Sequence, residues 1–165
     1  MNVAVAFCHP VPGSFGAAVR DTVIANLDPA ATRSVDLYAG EDLPRTFADE
    51  DEQTLRWARA VVLVYPTWWG SIPAPLMGWI EAGLEKQAWA NLDRVVAVTT
   101  HGSSRFVNTF TGGTGRRIVM RGLPRQMAIG AIGHFIALYS MDTIDDEDRR
   151  RFLDSLPDQL DRALA

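Results

Sequence analysis

The chain has 165 residues and a net charge of −4, with 47% hydrophobic and 22% charged residues. That length suits one domain around one core, and the apolar share excludes an intrinsically disordered chain. The acidic balance gives no reason to expect nucleic acid, because a nucleic-acid binder shows a basic stripe; Arg116, Arg117 and Arg121 read as a solvated helix face.

Residues 3–8 open with a continuous apolar run, Val-Ala-Val-Ala-Phe-Cys, which suits a strand buried on both faces. His9-Pro10-Val11-Pro12-Gly13 breaks it. Ser14 is placed to cap a helix that carries Phe15, Val19, Val23 and Leu27 at four-residue spacing and ends at Asp28-Pro29. Residues 32–37 read as a second strand. The polar, acidic stretch 39–51 reads as a surface loop, and residues 52–60 as a short helix carrying Leu55. Residues 61–65, Val-Val-Leu-Val-Tyr, give the strongest strand and stop at Pro66.

Residues 73–84 predict a helix with Leu76, Trp79 and Ile80 on one face; Pro73 and Pro75 are tolerable in its first turn. Residues 94–100 predict a fourth strand, 114–122 a helix after a Gly-rich polar stretch, and 135–139 a fifth strand. Residues 145–164 predict a terminal helix with Phe152, Leu156, Leu160 and Leu164 at four-residue spacing, which Pro157 should kink or split. Strands and helices thus alternate along the whole chain. The expected fold is α/β: a single domain, 1–165, built as a three-layer sandwich on a five-stranded parallel sheet of flavodoxin-like order 2-1-3-4-5. Eight strands, as a TIM barrel needs, are not present.

The one cysteine, Cys8, permits no intramolecular disulfide and fits a reducing cytoplasm. It reads as a small buried residue rather than a reactive thiol. The start of the chain lacks a basic n-region, so no signal peptide is expected, and no apolar run reaches the ~20 residues of a membrane span.

In an open parallel sheet, ligands sit at the carboxyl ends of the strands near the switch in strand order. Three loops there carry unusual residues. His9 to Gly16 leaves the first strand and enters a helix whose free amides favour an anion such as phosphate, with the Ser14 hydroxyl beside them. It is neither GxGxxG nor a Walker loop, and a plain Ser-capped turn is the competing reading. Pro66-Thr67-Trp68-Trp69-Gly70 follows the third strand. Two adjacent tryptophans cannot both enter one core, so at least one should be partly exposed, and an indole wall suits a planar ring system. Thr99-Thr100-His101-Gly102-Ser103-Ser104 follows the fourth strand and offers small polar donors or else a simple turn.

Taken together, these loops resemble the NAD(P)H:quinone oxidoreductases, the flavodoxin-like group that includes DT-diaphorase and the ancillary oxidoreductases of potassium-efflux systems. The most specific match runs from Tyr65 through Pro73-Ala74 and Gly78-Trp79 to Glu81; His9-Pro10 followed by Ser14-Phe15, Asp36-Leu37-Tyr38 and the Thr99-Thr100 loop also match. The likeness covers about residues 2–104 and is topological beyond, with a weak echo at Ala137-Leu138-Tyr139. It implies a non-covalent flavin, FMN or FAD, at a homodimer interface, reduced by NAD(P)H and reoxidised by a quinone-like acceptor. By the same likeness His9, Ser14, Phe15 and Gly16 would hold the phosphate end. Pro66, Thr67, Trp68, Trp69 and Gly70 would line the ring, and Thr99, Thr100, His101 and Gly102 its other edge. The cofactor performs the hydride chemistry, so the motif requires no dedicated acid or base.

The chain departs from the pattern at Gly16, where Asn is frequent, at Met77, where Lys is common, and at His101, where Gly is usual. The Tyr and His that assist hydride transfer in some relatives are not carried over, because the corresponding stretch is Arg105-Phe106-Val107-Asn108. His101 is the one candidate catalytic group, either bonded to the flavin edge or acceptor or else facing solvent. His134 reads as structural and no metal site is expected. Glu50, Asp51 and Glu52 read as a solvated charge run, and Ser103 and Ser104 lack a GxSxG elbow. The rivals to a cytoplasmic oxidoreductase are a flavin-binding regulatory subunit of a transporter or other partner, and a flavodoxin-type electron carrier. Against the carrier stand the proline-rich first loop and the modest charge.

Overall fold

Five apolar runs pair into one parallel sheet in the computed structural model, which describes residues 1–40, 44–104, 106 and 113–165. The strands are β1 (Val3–Phe7), β2 (Thr32–Asp36), β3 (Ala60–Pro66), β4 (Arg94–Thr100) and β5 (Ile132–Leu138), in the order β2-β1-β3-β4-β5. Every neighbouring pair is parallel. Among the described residues, the α-helices with defined bounds are α1 (Phe15–Ala25), α2 (Asp49–Trp57), α3 (Ala74–Glu85), the short α4 (Thr114–Arg117) and α5 (Asp146–Leu164).

Strand residues alternate between two buried layers, as a sheet covered on both faces requires. Ala4, Ala6, Val61, Leu63, Val95 and Ala97 meet Leu55 of α2, Leu76, Trp79 and Ile80 of α3, and Val119 and Leu123 beyond α4. Val5, Phe7, Val62, Val64, Val96 and Val98 meet Val19 and Val23 of α1 and Phe152, Leu156 and Leu160 of α5. The expected architecture and strand order are therefore present. The chain leaves β1 for β2 on one side and returns for β3 on the other, so strand order reverses between β1 and β3.

Several local expectations need correction. The helix expected over 52–60 instead runs from Asp49, because the Asp51 carboxylate accepts the Ala48 amide at 2.9 Å and fixes an earlier first turn. Asp51 is not part of a solvated charge run: it is 1% exposed and accepts two hydrogen bonds from the Arg45 guanidinium, at 2.9 and 2.6 Å. Glu52 pairs with Arg56 and Lys86. Of the loop expected over 39–51, Glu41, Asp42 and Leu43 lie outside the described residues.

β5 begins three residues early, since Ile132 pairs in register with Arg94. Its start was hidden by Gly133, whose missing side chain admits the neighbouring backbone: a Cβ there would sit 2.1 Å from the Val119 carbonyl oxygen. The helix expected over 114–122 is α only to Arg117; Ile118–Gly122 widens to a π turn and Leu123–Gln126 tightens to a 3₁₀ turn. Pro157 does not split α5, which runs unbroken from Asp146 to Leu164. A proline inside a helix costs about 3 kcal/mol, and here Phe152 and Leu156 before it and Leu160 and Ala163 after it are all buried on one side, which holds both halves in line.

Candidate functional site

The carboxyl ends of β1, β3, β4 and β5 surround a cleft of about 370 Å³. It lies where strand order reverses, the place an open parallel sheet leaves for a ligand. His9, Phe15 and Gly16 line one end of it, from the loop after β1 and the start of α1. Pro66, Thr67 and Trp68 follow β3, and Thr100 and Gly102 come from the end of β4.

The first end is built for an anion. Ser14 caps α1, its hydroxyl accepting the Ala17 amide at 3.2 Å. The Phe15 and Gly16 amides stand in the first turn, where no intrahelical acceptor exists. His9 leans over this turn: a Cβ on Gly16 would lie 3.1 Å from His9 Cδ2, so glycine lets ring and backbone approach. The Val11 amide donates to His9 Nδ1 at 3.0 Å. A neutral His9 therefore carries its proton on Nε2, beside Cδ2 at the helix start. Burial pushes its pKa below the ordinary imidazole value.

The ring loop turns sharply. Trp68 and Ser71 exchange backbone hydrogen bonds at 3.2 and 3.0 Å across Trp69 and Gly70, whose φ angles are +52° and +73°. Two consecutive left-handed residues make this a type I′ turn, which favours Asn-Gly. A tryptophan in its first central position is a backbone outlier. The turn resolves the two adjacent indoles: Trp68 borders the cleft, whereas Trp69 is 104% exposed and lies outside it. The loop is tied down at its root, where the Thr67 amide donates to the Thr100 carbonyl at 2.7 Å.

His101 neither lines the cleft nor faces solvent. It is 5% exposed, stacked on Tyr139 with ring centroids 4.6 Å apart, and sits 3.3 Å through Nε2 from the Thr67 hydroxyl. That hydroxyl lies 2.8 Å from Thr99 Oγ1. Thr99 and His101 thus form a second layer behind Thr67. Ser14 contributes a cap, and Gly70 the turn that aims Trp68.

Two lining residues were not anticipated from the sequence: Met141 and Asp142 follow β5 and close the far wall. The Asp142 carboxylate packs so near the backbone that a Cβ on Gly102 would sit 2.6 Å from its Oδ2. Their position after the last strand was the available signal. Arg105, Val107 and Asn108, where the assisting pair of some relatives would fall, lie outside the described residues.

Cys8 is fully buried, and its thiol is pushed up to about 12, mainly by that burial. The Tyr65 hydroxyl is likewise raised by burial and has no hydrogen-bond partner among the described residues. His134 lies within β5, and its pKa is lowered by burial and by the Arg94 charge. Among the described residues no cluster of His, Cys, Asp or Glu is arranged to hold a metal ion, and no helix is long and apolar enough to cross a membrane. A larger cavity of about 450 Å³ lies between residues 44–47 and α3, away from the strand ends; its one cation, Arg45, is committed to Asp51.

A family model described as the flavodoxin-like fold matches residues 1–128. A ribosyldihydronicotinamide dehydrogenase-like protein, traD, from Penicillium crustosum is 25% identical over a match covering 49% of this chain and 43% of that protein. The chain thus spans less than half the length of this curated relative. Among solved structures, Smu.1420 from Streptococcus mutans UA159 superposes with a TM-score of 0.80 at 21% identity, over 96% of this chain and 98% of that one. An NAD(P)H:quinone oxidoreductase from Methanothermobacter marburgensis gives 0.70 at 20% identity, over 96% and 94%. These likenesses carry the fold, and the family model covers most of the sequence that builds the cleft: the chain belongs to the flavodoxin-like fold family.

Proposed function

We propose that this protein is a flavin-dependent NAD(P)H oxidoreductase that reduces quinones or similar electrophiles by two electrons. The observation that carries the reading is the make-up of one cleft: a helix start with His9 at one end, and an indole wall with threonine donors at the other. A flavin mononucleotide, alone or as part of FAD, has that same polarity, an anion joined by a polar chain to a planar ring. The likeness to the quinone oxidoreductase supports the reading, as does the dehydrogenase-like relative.

The residues present fit such a group. The Phe15 and Gly16 amides and His9 Nε2 would hold the phosphate, and the absence of a Cβ at Gly16 leaves the first turn open beside the imidazole. Trp68 would stack on the ring and exclude water from one face. Thr67 and Thr100 would donate to its polar edge, with Thr67 held by Thr99 and His101. When bound, a flavin supplies the hydride chemistry, taking a hydride from NAD(P)H and giving it to an acceptor that next occupies the same place. His101 acts in this scheme as a positioning residue.

One domain, a homodimer and a cytoplasmic setting complete the reading. The fully exposed Trp69 is the aromatic group best suited to an interface between copies. The deciding experiment is the visible spectrum of the purified protein, chromatography of any released cofactor, and steady-state NAD(P)H oxidation with a quinone. A yellow protein with quinone-dependent turnover is expected. Flavin binding without turnover would favour a regulatory subunit, and a colourless protein that takes up no added flavin would overturn the proposal.

A further inference from the structure

The charge of this chain is unevenly placed. From Arg94 to Met141 it carries six arginines and no aspartate or glutamate, although its net charge is −4. Three of these arginines, Arg116, Arg117 and Arg121, surround a pocket of about 230 Å³ together with Met120. All three are exposed, and among the described residues none of them has a carboxylate within ion-pair distance, whereas Arg45, Arg56, Arg59, Arg149 and Arg151 are all paired. Three guanidinium groups held together without counter-charge repel one another, and a multivalent anion removes that cost.

The pocket is coupled to the ring loop. The Gly115 amide, one residue before Arg116, points to the Gly70 carbonyl at 3.4 Å. Gly115 is buried there, and a Cβ on it would be in van der Waals contact with the Ser71 and Ile72 backbone at 3.4 Å. Arg116 lies 5.4 Å over the Phe135 ring, which is itself 6.1 Å from the His101 ring. The arginine-bearing segment therefore starts, at Gly115, against the ring loop, with Arg116 and Arg117 in α4 and Arg121 in the π turn that follows.

We propose that Arg116, Arg117 and Arg121 form the binding site for the 2′-phosphate of NADPH, so that the protein selects the phosphorylated dinucleotide over NADH. The nicotinamide and the 2′-phosphate occupy opposite ends of that molecule. An anion site that stands off from the ring wall, yet is joined to it by backbone contact, has the required arrangement. Arginine forks recognise phosphate oxygens bidentately, and NADH has no group to fill this pocket. The inference rests on the oxidoreductase reading above.

The test is the ratio of kcat/KM for NADPH to that for NADH. The native protein should favour NADPH by about tenfold or more, the factor that one charge-assisted phosphate bond supplies. Arg116→Gln, Arg117→Gln and Arg121→Gln should each lower the ratio. Arg125→Gln, outside the pocket, should leave it in place, and circular dichroism checks that each variant folds. Adenosine 2′,5′-bisphosphate should bind more tightly than 5′-AMP by calorimetry, with an advantage that shrinks as salt rises. A native ratio near one, a ratio unmoved by the three substitutions, or an equal fall in Arg125→Gln would overturn the proposal. If flavin-replete protein oxidises neither dinucleotide, the oxidoreductase reading fails. The calorimetric comparison on that same protein then decides the arginine site: preference for the bisphosphate supports it, and equal binding removes it.

Discussion

The Nε2 atom of His101 lies 3.3 Å from the Thr67 hydroxyl oxygen. This contact joins the end of β4 to the ring loop after β3 and gives a buried imidazole a say in where a cleft-lining hydroxyl points. His101→Ala should loosen Thr67 and raise the flavin dissociation constant about tenfold, the loss of roughly one hydrogen bond. Fluorescence titration measures it, and His101→Asn should recover part of the affinity. Unchanged affinity and turnover in the alanine variant would show that Thr67 is placed without the imidazole.

Trp69 contributes no burial in the folded chain, yet its backbone is left-handed at φ +52°. Asparagine adopts that conformation more readily and is favoured there in type I′ turns. Trp69→Asn should therefore stabilise the monomer by about 1 kcal/mol, seen as a Tm higher by roughly 2–4 °C. A lower Tm would show that the indole contributes more to an assembled form than its backbone costs.

His9 gives a pH signature. Its folded pKa is depressed below the ordinary 6.5 by burial, so the unfolded chain binds the proton more readily. This contribution to stability is fully present above that ordinary value and is lost as pH falls through the folded pKa. A phosphate at the α1 start would oppose the depression, because it favours the imidazolium. NMR titration should find His9 below 6.5 in flavin-free protein and higher once FMN is added. No movement on loading would place the phosphate elsewhere.

Two glycines should respond in opposite senses to the same substitution. A Cβ at Gly133 meets backbone atoms, Val119 O at 2.1 Å and Met120 Cα at 2.9 Å, which have no rotamer by which to withdraw. Gly133→Ala should destabilise by about 2–3 kcal/mol. At Gly78, within α3, a Cβ meets nothing within 4 Å, and Gly78→Ala should stabilise by about 0.5–1 kcal/mol. Urea midpoints of the two variants should lie on opposite sides of the native value.

The fold was legible because its signals are physical extremes. Residues 61–65 hold no charge at all, and buried parallel strands are where such runs arise. The errors fall where a tertiary partner changes the meaning of a residue. Asp49 to Asp51 looked like loop because acidic residues are usually solvated, yet Asp51 is both a helix-start acceptor and the buried partner of Arg45. The fifth strand reads from residue 135 in the sequence, but β5 starts at Ile132 and includes Gly133, against which Val119 packs. At the site, Trp68 and Trp69 were read correctly as divergent. Which of them borders the cleft depended on a turn type that asparagine, not tryptophan, usually signals. Asp142 escaped notice because it lies beyond the end of β5 and is in no motif.

The burial of Cys8 bears on what the proposed substrates do to proteins. Quinones are Michael acceptors that alkylate accessible thiolates, and an enzyme that turns them over meets them at close range. Here the single sulfhydryl of the chain lies at the end of β1, with no solvent exposure and held protonated until about pH 12. The folded protein thus presents no accessible thiol to the proposed quinone acceptors, so resistance to thiol alkylation is the expected consequence of where one strand ends.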